Sequence, residues 1–343
     1  MTDFSAYDDQ VLKRLIALQY GDTKRILLFT QIPIGLGGQI AVRLVGLRLA
    51  LLFDRKVIFS HLDEPPYGQV FAPLHSSADF NQLKKIATNY FADGSKSEPV
   101  VMLDKWEMLE APELQKLIYE YVPEGLPSIC EPARYVDGLL LSFCHLIPKL
   151  KLMLSSAADR LCIGDDTLGV HVRRGDKNVE TPYVPIDAIN REIHRLCGER
   201  GFRRIFVSSD NDAVFDEIVV PPGTQLVFDK EERRYNNANH KFLLKSPQFS
   251  EQETATAVKN IFLLGRCGGI VGQSNAHFAT LAAAQICFRK KGEFGALLQG
   301  DYVLRSSRVR RFSHSFKLGL RSAARRAFPW ATLRGRTIRE RTR

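Results

Sequence analysis

The sequence is short of several features, and each shortage removes a class of protein. It has no opening stretch with a basic start, an apolar run and a small-residue cleavage site, and no uninterrupted apolar span of about 18 residues. Neither export nor membrane spanning is therefore expected, and a cytoplasmic chain is. Six cysteines are scattered (Cys130, Cys144, Cys162, Cys197, Cys267, Cys287), with no CxxC pair and no histidine at metal-ligand spacing. Reduced thiols in a core fit that pattern better than a disulfide framework or a zinc site. A GxGxxG fingerprint is missing too. The glycine turn Gly35-Leu36-Gly37-Gly38-Gln39 has other spacing, and no acidic residue follows where the ribose of a nicotinamide nucleotide would need one.

What the chain does have is size, ordinary composition and an uneven charge. With 343 residues it can bury a large core, and 45% hydrophobic with 25% charged residues predicts a folded body rather than disorder. The net charge of +10 is concentrated at one end: residues 301–343 carry 13 Lys and Arg against Asp301 and Glu340, a net of +11, which leaves residues 1–300 at −1. The body is neutral and the tail is basic.

Hydrophobic periodicity organises the body. Residues 4–20 have apolar side chains at helical spacing and predict a leading helix. A buried strand (23–34), the glycine turn, an apolar helix (39–53) and a second strand (56–60) make a βαβ unit, which implies a parallel sheet. PPYGQVFAPL, residues 65–74, reads as a loop. From Phe80 to Lys151 only helical stretches at 79–91 and 111–122 stand out. A second alternating series begins near Asp165, with strands at 167–172, 203–209, 224–229 and 268–273 and helices at 185–199, 211–218, 250–267 and 275–287.

This pattern predicts an α/β fold of two doubly wound, Rossmann-type domains facing a cleft. The N-terminal domain is expected over 1–155, the nucleotide-binding domain over 156–300 and the basic tail over 301–343. Ligands in such sheets sit beyond the carboxyl ends of strands, here Ile34, His171, Ser209 and Gln273.

One of those ends opens GVHVRRGDKNVETPYVP, residues 169–185, which is dense in ionisable groups. Arg173 and Arg174 have no acidic residue directly beside them in sequence, and a guanidinium presents a planar fork of donors that matches phosphate oxygens. Gly175 permits a turn, and Lys177 adds a point charge. Such a cluster can hold a diphosphate without a metal; a solvated turn is the other reading. Glu180 and Asp176 are the nearby carboxylates, able to take a proton from an attacking hydroxyl or only to neutralise the arginines. His171 is either a ligand-facing imidazole or a satisfied core histidine.

Three further stretches carry the same double reading. Gly35, Gly37, Gly38 and Gln39 form a tight strand-to-helix turn that would also let backbone N–H groups approach an anion. Asp210 and Asn211 cap a helix or face the cleft. Gln273, Ser274 and Asn275 open a helix after a strand, placed to cap it or to cradle a phosphate.

Together these residues resemble the fucosyltransferase superfamily with the signature HxRRxDK, and most closely the α-1,6-fucosyltransferases of core N-glycans and rhizobial nodulation oligosaccharides. The match is His171-Val172-Arg173-Arg174-Gly175-Asp176-Lys177, then Glu180 and Tyr183-Val184-Pro185. GLGGQI, RKVIFS and PPYGQVFAPL upstream, and IFVSSDND and IVGQSNAHFATLAAA downstream, are similar in kind, so the resemblance runs from about Ile26 to Cys287.

It implies a GT-B-like fold, GDP-fucose as donor, inversion at the sugar carbon and no required metal. By the same resemblance Arg173 grips the β-phosphate, Arg174 and Lys177 support it, Glu180 is the base, Ser274 touches the diphosphate and His171 seats the nucleotide. Two departures stand out. The step from Lys177 to Glu180 is one residue shorter than in the core-glycan enzymes, and the guanine-reading aspartate falls near Lys259 or Asn260, neither of them acidic. Another nucleotide sugar, or a binding protein without activity, is the alternative.

The expected acceptor is an oligosaccharide or glycolipid. In the tail, arginines are interleaved with Phe312, Phe316, Leu320 and Phe328 near helical spacing. That pattern fits an interfacial helix on the anionic inner face of a membrane, with a solvated tail as the alternative. Nucleic acid is not an expected partner, because no recognised module or stacking platform is present.

Overall fold

The computed structural model describes residues 10–30, 35–60, 70–72, 74, 77–123, 131–174, 183–232, 247–299 and 302–305. Residues up to Arg305 form one compact unit; the tail beyond it, 306–343, where a helix is expected, lies outside the described residues.

The first sheet grows from the expected βαβ unit. Helix α1 (Gln10–Tyr20) leads into β1 (Ile26–Thr30), α2 (Leu36–Phe53) and β2 (Lys56–Phe59). Then come α3 (Ser77–Lys84), β3 (Thr88–Asn89), β4 (Val100–Asp104), α4 (Lys105–Glu110) and α5 (Pro112–Glu120). All four strands are parallel, in the order β2-β1-β4-β3. Alternation along the strands sends Leu28, Ile58 and Val100 to a small core with Phe80, and Leu27, Phe29, Val57, Phe59, Val101 and Leu103 to the main core.

Here one expectation falls outside the described residues, one is corrected and one strand is new. The first strand is described only to Thr30, so its expected end at Ile34 lies outside the described residues. The helix expected over 79–91 stops at Lys84, because the amides of Lys85 and Ile86 turn back onto the carbonyls of Gln82 and Leu83 and release the chain into β3. Val100–Asp104, not foreseen as a strand, pairs with β1 along its whole length.

Helix α2 is apolar almost all round because it is packed on nearly every side. By length and composition it could cross a bilayer, yet it is a buried core helix that carries two buried arginines. Arg48, 3% exposed, donates to the carbonyls of Ile118, Tyr121 and Ala133 and to the carboxylate of Asp137. One side chain thus fastens α2 to α5 and to the next helix.

That helix, α6 (Pro132–Phe143), and α7 (Pro148–Arg160) precede the second sheet, and neither was foreseen. The expected domain boundary at 155/156 falls within α7. The sheet itself comprises β5 (Thr167–Val172), α8 (Ile186–Arg200), β6 (Arg204–Ser209), α9 (Ala213–Glu217), β7 (Gln225–Val227), α10 (Pro247–Arg266), β8 (Gly269–Gln273), α11 (His277–Arg289), β9 (Gly295–Gln299) and β10 (Tyr302–Arg305).

Its order is β10-β9-β8-β5-β6-β7, parallel except for β10, which takes the first described residues of the expected tail as an antiparallel edge. Helix α6 lies against α11 so closely that a Cβ on Gly138 would fall 2.1 Å from the carbonyl oxygen of Ala284. The two sheets therefore share one main core, running from Val11 to Leu297.

Candidate functional site

The topology of the second sheet fixes where a ligand can enter. From β5 the chain moves to β6 and β7 on one side, and from β8 to β9 on the other. Helix α8, which follows β5, packs on the face of Val170, Val172 and Val271; α11, which follows β8, packs with Ile270 and Leu297 on the opposite face. The connections part between β5 and β8, so a crevice opens beyond their carboxyl ends.

His171, Arg173 and Gln273 stand at this switch point. His171 is 4% exposed, its ring 5.3 Å from that of Phe278, and its Nδ1 is buried without a hydrogen-bond partner among the described residues. Burial, and secondarily the charge of Arg173, push its pKa down to about 3, so the imidazole is neutral at physiological pH. Just past it, the Arg173 amide donates to Gln273 Oε1 at 3.0 Å and the Arg174 amide to Asp210 Oδ1 at 2.8 Å. Side chains from the ends of β8 and β6 thus hold the backbone that leaves β5.

The arginines are not without acidic neighbours once the chain is folded. Arg173 Nε lies 3.3 Å from Asp210 Oδ2, and Arg174 Nη2 lies 3.1 Å from Glu217 Oε2 at the end of α9. The Arg174 guanidinium is 5.4 Å from the centre of the Tyr183 ring, and the Tyr183 hydroxyl donates to the Arg174 carbonyl. Asn190 of α8, 8% exposed, fixes Glu217 in turn: its amide donates to the Glu217 carbonyl at 3.0 Å and accepts from the Val219 amide at 3.1 Å. Glu217, Asn190 and the contacts of Tyr183 were not read from the sequence. They come from loops and helix faces without a spacing signature.

The remaining sequence candidates divide three ways. Asp176, Lys177 and Glu180 lie outside the described residues. Gln273, Ser274 and Asn275 precede α11 rather than opening it: the Ser274 amide donates to the Leu298 carbonyl and the Ala276 amide to the Gln273 carbonyl. The Ser274 amide is therefore taken up by β9. Gly35 stands at the N-cap of α2, with the Gln39 amide donating to its carbonyl, and Gly37 and Gly38 are buried in the first turn. A Cβ on Gly37 would lie 2.7 Å from His277 Cβ, so the N-terminus of α2 meets the N-terminus of α11. Glycine is what allows the carboxyl edges of the two sheets to come together here.

Two more observations complete the geometry. On the first sheet, the neighbouring strands β1 and β4 end in Thr30 and Asp104, and the Thr30 hydroxyl donates to Asp104 Oδ2. Asp104 closes an apolar run, as His171 and Gln273 do, and that signal could have found it. At Lys259 and Asn260 the acidity comes from the loop after β7. Lys259 Nζ lies 2.6 Å from both Asp229 Oδ2 and Glu232 Oε1, and the Asn260 amide donates to Glu232 Oε2 at 3.1 Å.

No family model and no curated protein matches the sequence. Solved structures do. The NodZ α-1,6-fucosyltransferase soaked with GDP-fucose superposes with a TM-score of 0.53 at 12% identity, covering 82% of this chain and 99% of that one. Fucosyltransferase NodZ from Bradyrhizobium gives 0.50 at 11% identity, over 82% and 99% of the two chains. NodZ co-crystallized with GDP gives 0.50 at 11%, over 82% and 97%. The chain is thus structurally similar to fucosyltransferases, its two sheets arranged as in their GT-B fold.

Proposed function

We propose that the protein is an inverting glycosyltransferase that moves fucose from GDP-fucose to a hydroxyl of an oligosaccharide or glycolipid. The observation that carries this reading is the position of Arg173, one residue beyond β5 at the switch point of the second sheet. The fold around it resembles one whose solved examples include NodZ soaked with GDP-fucose. Arg173 is the natural grip for the β-phosphate, with Arg174 and Lys177 beside it, and the neutral His171 adds no competing charge at the strand end.

In a single displacement the acceptor oxygen attacks the anomeric carbon while the diphosphate leaves, and the guanidinium stabilises the negative charge that develops there. Glu180 is the carboxylate that the arginine loop itself offers for the acceptor's proton. No step in this scheme calls for a metal.

A calorimetric panel of GDP, UDP and ADP tests donor identity without knowledge of the acceptor. UDP and ADP belong in it because Lys259 and Asn260 stand where the resemblance expects an acidic guanine reader. GDP is expected to bind, and Arg173→Ala to lower turnover of GDP-fucose about 10²–10³-fold. A loss of less than tenfold refutes the assignment of Arg173. Binding without any turnover converts the reading to that of a nucleotide-binding relative.

The basic composition of the tail supports attachment to the anionic inner face of a membrane, each basic side chain near the surface contributing about 1 kcal/mol. Co-sedimentation of the full chain with anionic rather than neutral vesicles is the expected result, and equal recovery with both refutes the electrostatic attachment.

A further inference from the structure

The proposed transfer needs a group on the acceptor side, and the described residues contain one that lies apart from the arginine loop. We infer that Asp104, held by Thr30, receives the acceptor hydroxyl and takes its proton in place of Glu180; this rests on the transferase reading above.

Strands β1 and β4 are the central pair of the first sheet, and their carboxyl ends are Thr30 and Asp104, aligned in register. Ligands in parallel sheets gather beyond those ends. The edge is also the one turned toward the second sheet. Five residues after Thr30 comes Gly35, and the first turn of α2 touches His277 at Gly37, while Phe278 beside His277 stacks near His171. The helices that follow β1 and β8 therefore meet at Gly37 and His277, with Asp104 in register beside Thr30 on the first sheet and Arg173 one residue past β5 on the second.

The chemistry of the pair suits the step. Asp104 is partly exposed, and the Thr30 hydroxyl donates to its Oδ2, which fixes the orientation of the carboxylate. An acceptor hydroxyl arriving between the sheets would give its proton to Asp104. Its oxygen would form the new bond to the anomeric carbon, and the bond from that carbon to the phosphate oxygen would break with its electron pair left on the diphosphate. Separating base from leaving-group charge across the cleft also keeps the carboxylate from lowering the affinity of the arginines for phosphate.

The acceptor being unidentified, the probe is GDP-fucose with water as acceptor, read as GDP release, alongside calorimetric GDP binding and thermal unfolding for wild type, Asp104→Asn and Asp104→Glu. Asp104→Asn keeps shape and removes basicity. GDP release is expected to fall about 10²-fold or more, with GDP affinity and melting temperature unchanged and partial recovery in Asp104→Glu. GDP release within tenfold of wild type in Asp104→Asn overturns the inference. So does a loss of GDP binding or of cooperative unfolding in both variants, which would assign Asp104 to the fold. A wild type that neither binds GDP nor releases it from GDP-fucose overturns the transferase reading, and the role of Asp104 with it.

Discussion

Replacing Lys259 with methionine should expose how the loop after β7 is held. Lys259 sits in α10 with 7% of its surface exposed, its ammonium 2.6 Å from Asp229 and 2.6 Å from Glu232. Asp229 is 2% exposed and is also held by Arg160 at 2.9 Å and the Glu231 amide at 3.2 Å. Glu232 also accepts from the Asn260 amide at 3.1 Å. Methionine preserves the length of the side chain and removes the charge, so two carboxylates lose their shared cation. Breaking a buried pair costs about 3–5 kcal/mol. Arg160 still reaches Asp229, which puts the expected loss near the lower end, about 3 kcal/mol, or roughly 6 °C in melting temperature for a unit of this size.

The pH dependence carries the sharper test. Burial raises the pKa of Asp229, but the bonds from Arg160 and Lys259 outweigh it and hold the carboxyl below its ordinary value. A depressed carboxylate contributes stability that is complete above its unfolded pKa, about 3.9, and is lost as pH falls through the folded value. Lys259→Met moves the folded pKa upward, so the deficit is greatest at neutral pH and narrows toward pH 4 as protons neutralise the stranded charge. Melting curves at pH 7 and pH 4 measure this directly. A difference below about 2 °C at pH 7, where some 3 kcal/mol is expected, or a deficit that does not change with pH, refutes the account.

Three other outcomes follow from the same geometry. His171, with a folded pKa of about 3 against 6.5, binds its proton only after unfolding across that window, so stability rises with pH there; His171→Phe should shift acid unfolding to lower pH, read by circular dichroism. Gly138→Ala should cost about 1–3 kcal/mol in urea titrations because its Cβ meets the Ala284 carbonyl; Gly198→Ala, in open space on α8, should be neutral or slightly stabilising, and equal effects would disprove the close helix contact. Gln273→Leu leaves the Arg173 amide without its acceptor and should weaken GDP binding about tenfold by calorimetry, with an unchanged affinity refuting the anchoring role.

The alternation of strands and helices was legible because most of it lies in long buried elements with a clear period. β5 is buried at every residue, and β8 likewise, so both read as continuous apolar runs bounded by turn residues. The stretch 80–151 was opaque for a physical reason. β3 has two residues, too few to show any period, and β4 follows a turn whose Gly94 adopts a positive φ of 74°. Helix α6 does carry apolar residues at helical spacing, but Pro132 and Gly138 punctuate it; Arg48 engages it at Ala133 and Asp137, and Ala284 meets it at Gly138. The edge strand β10 escaped notice because its four residues border the basic tail, and charge dominated the reading there.

The site was legible in its parts and not in its wiring. His171, Arg173, Asp210, Gln273 and Gly37 were all singled out, and the fold does bring their segments to one edge. What spacing could not show is which polar groups each would meet. Gln273 reads as a ligand-facing amide on a strand end, yet its oxygen holds the Arg173 backbone across a hundred residues of sequence. Asp210 reads as a donor contact or a helix cap, and its carboxylate receives the Arg174 amide. Both choices follow from one constraint: a chain leaving a fully buried strand carries amides that must find acceptors, and only the neighbouring strand ends can supply them. The same constraint bears on both arginines. Arg174 is held at its carbonyl by Tyr183, at its amide by Asp210 and at its guanidinium by Glu217, three groups from three different elements. Only the last of these holds the side chain, and the Arg173 guanidinium has a carboxylate of its own in Asp210 at 3.3 Å, so an incoming anion would compete with Asp210 at Arg173 and with Glu217 at Arg174.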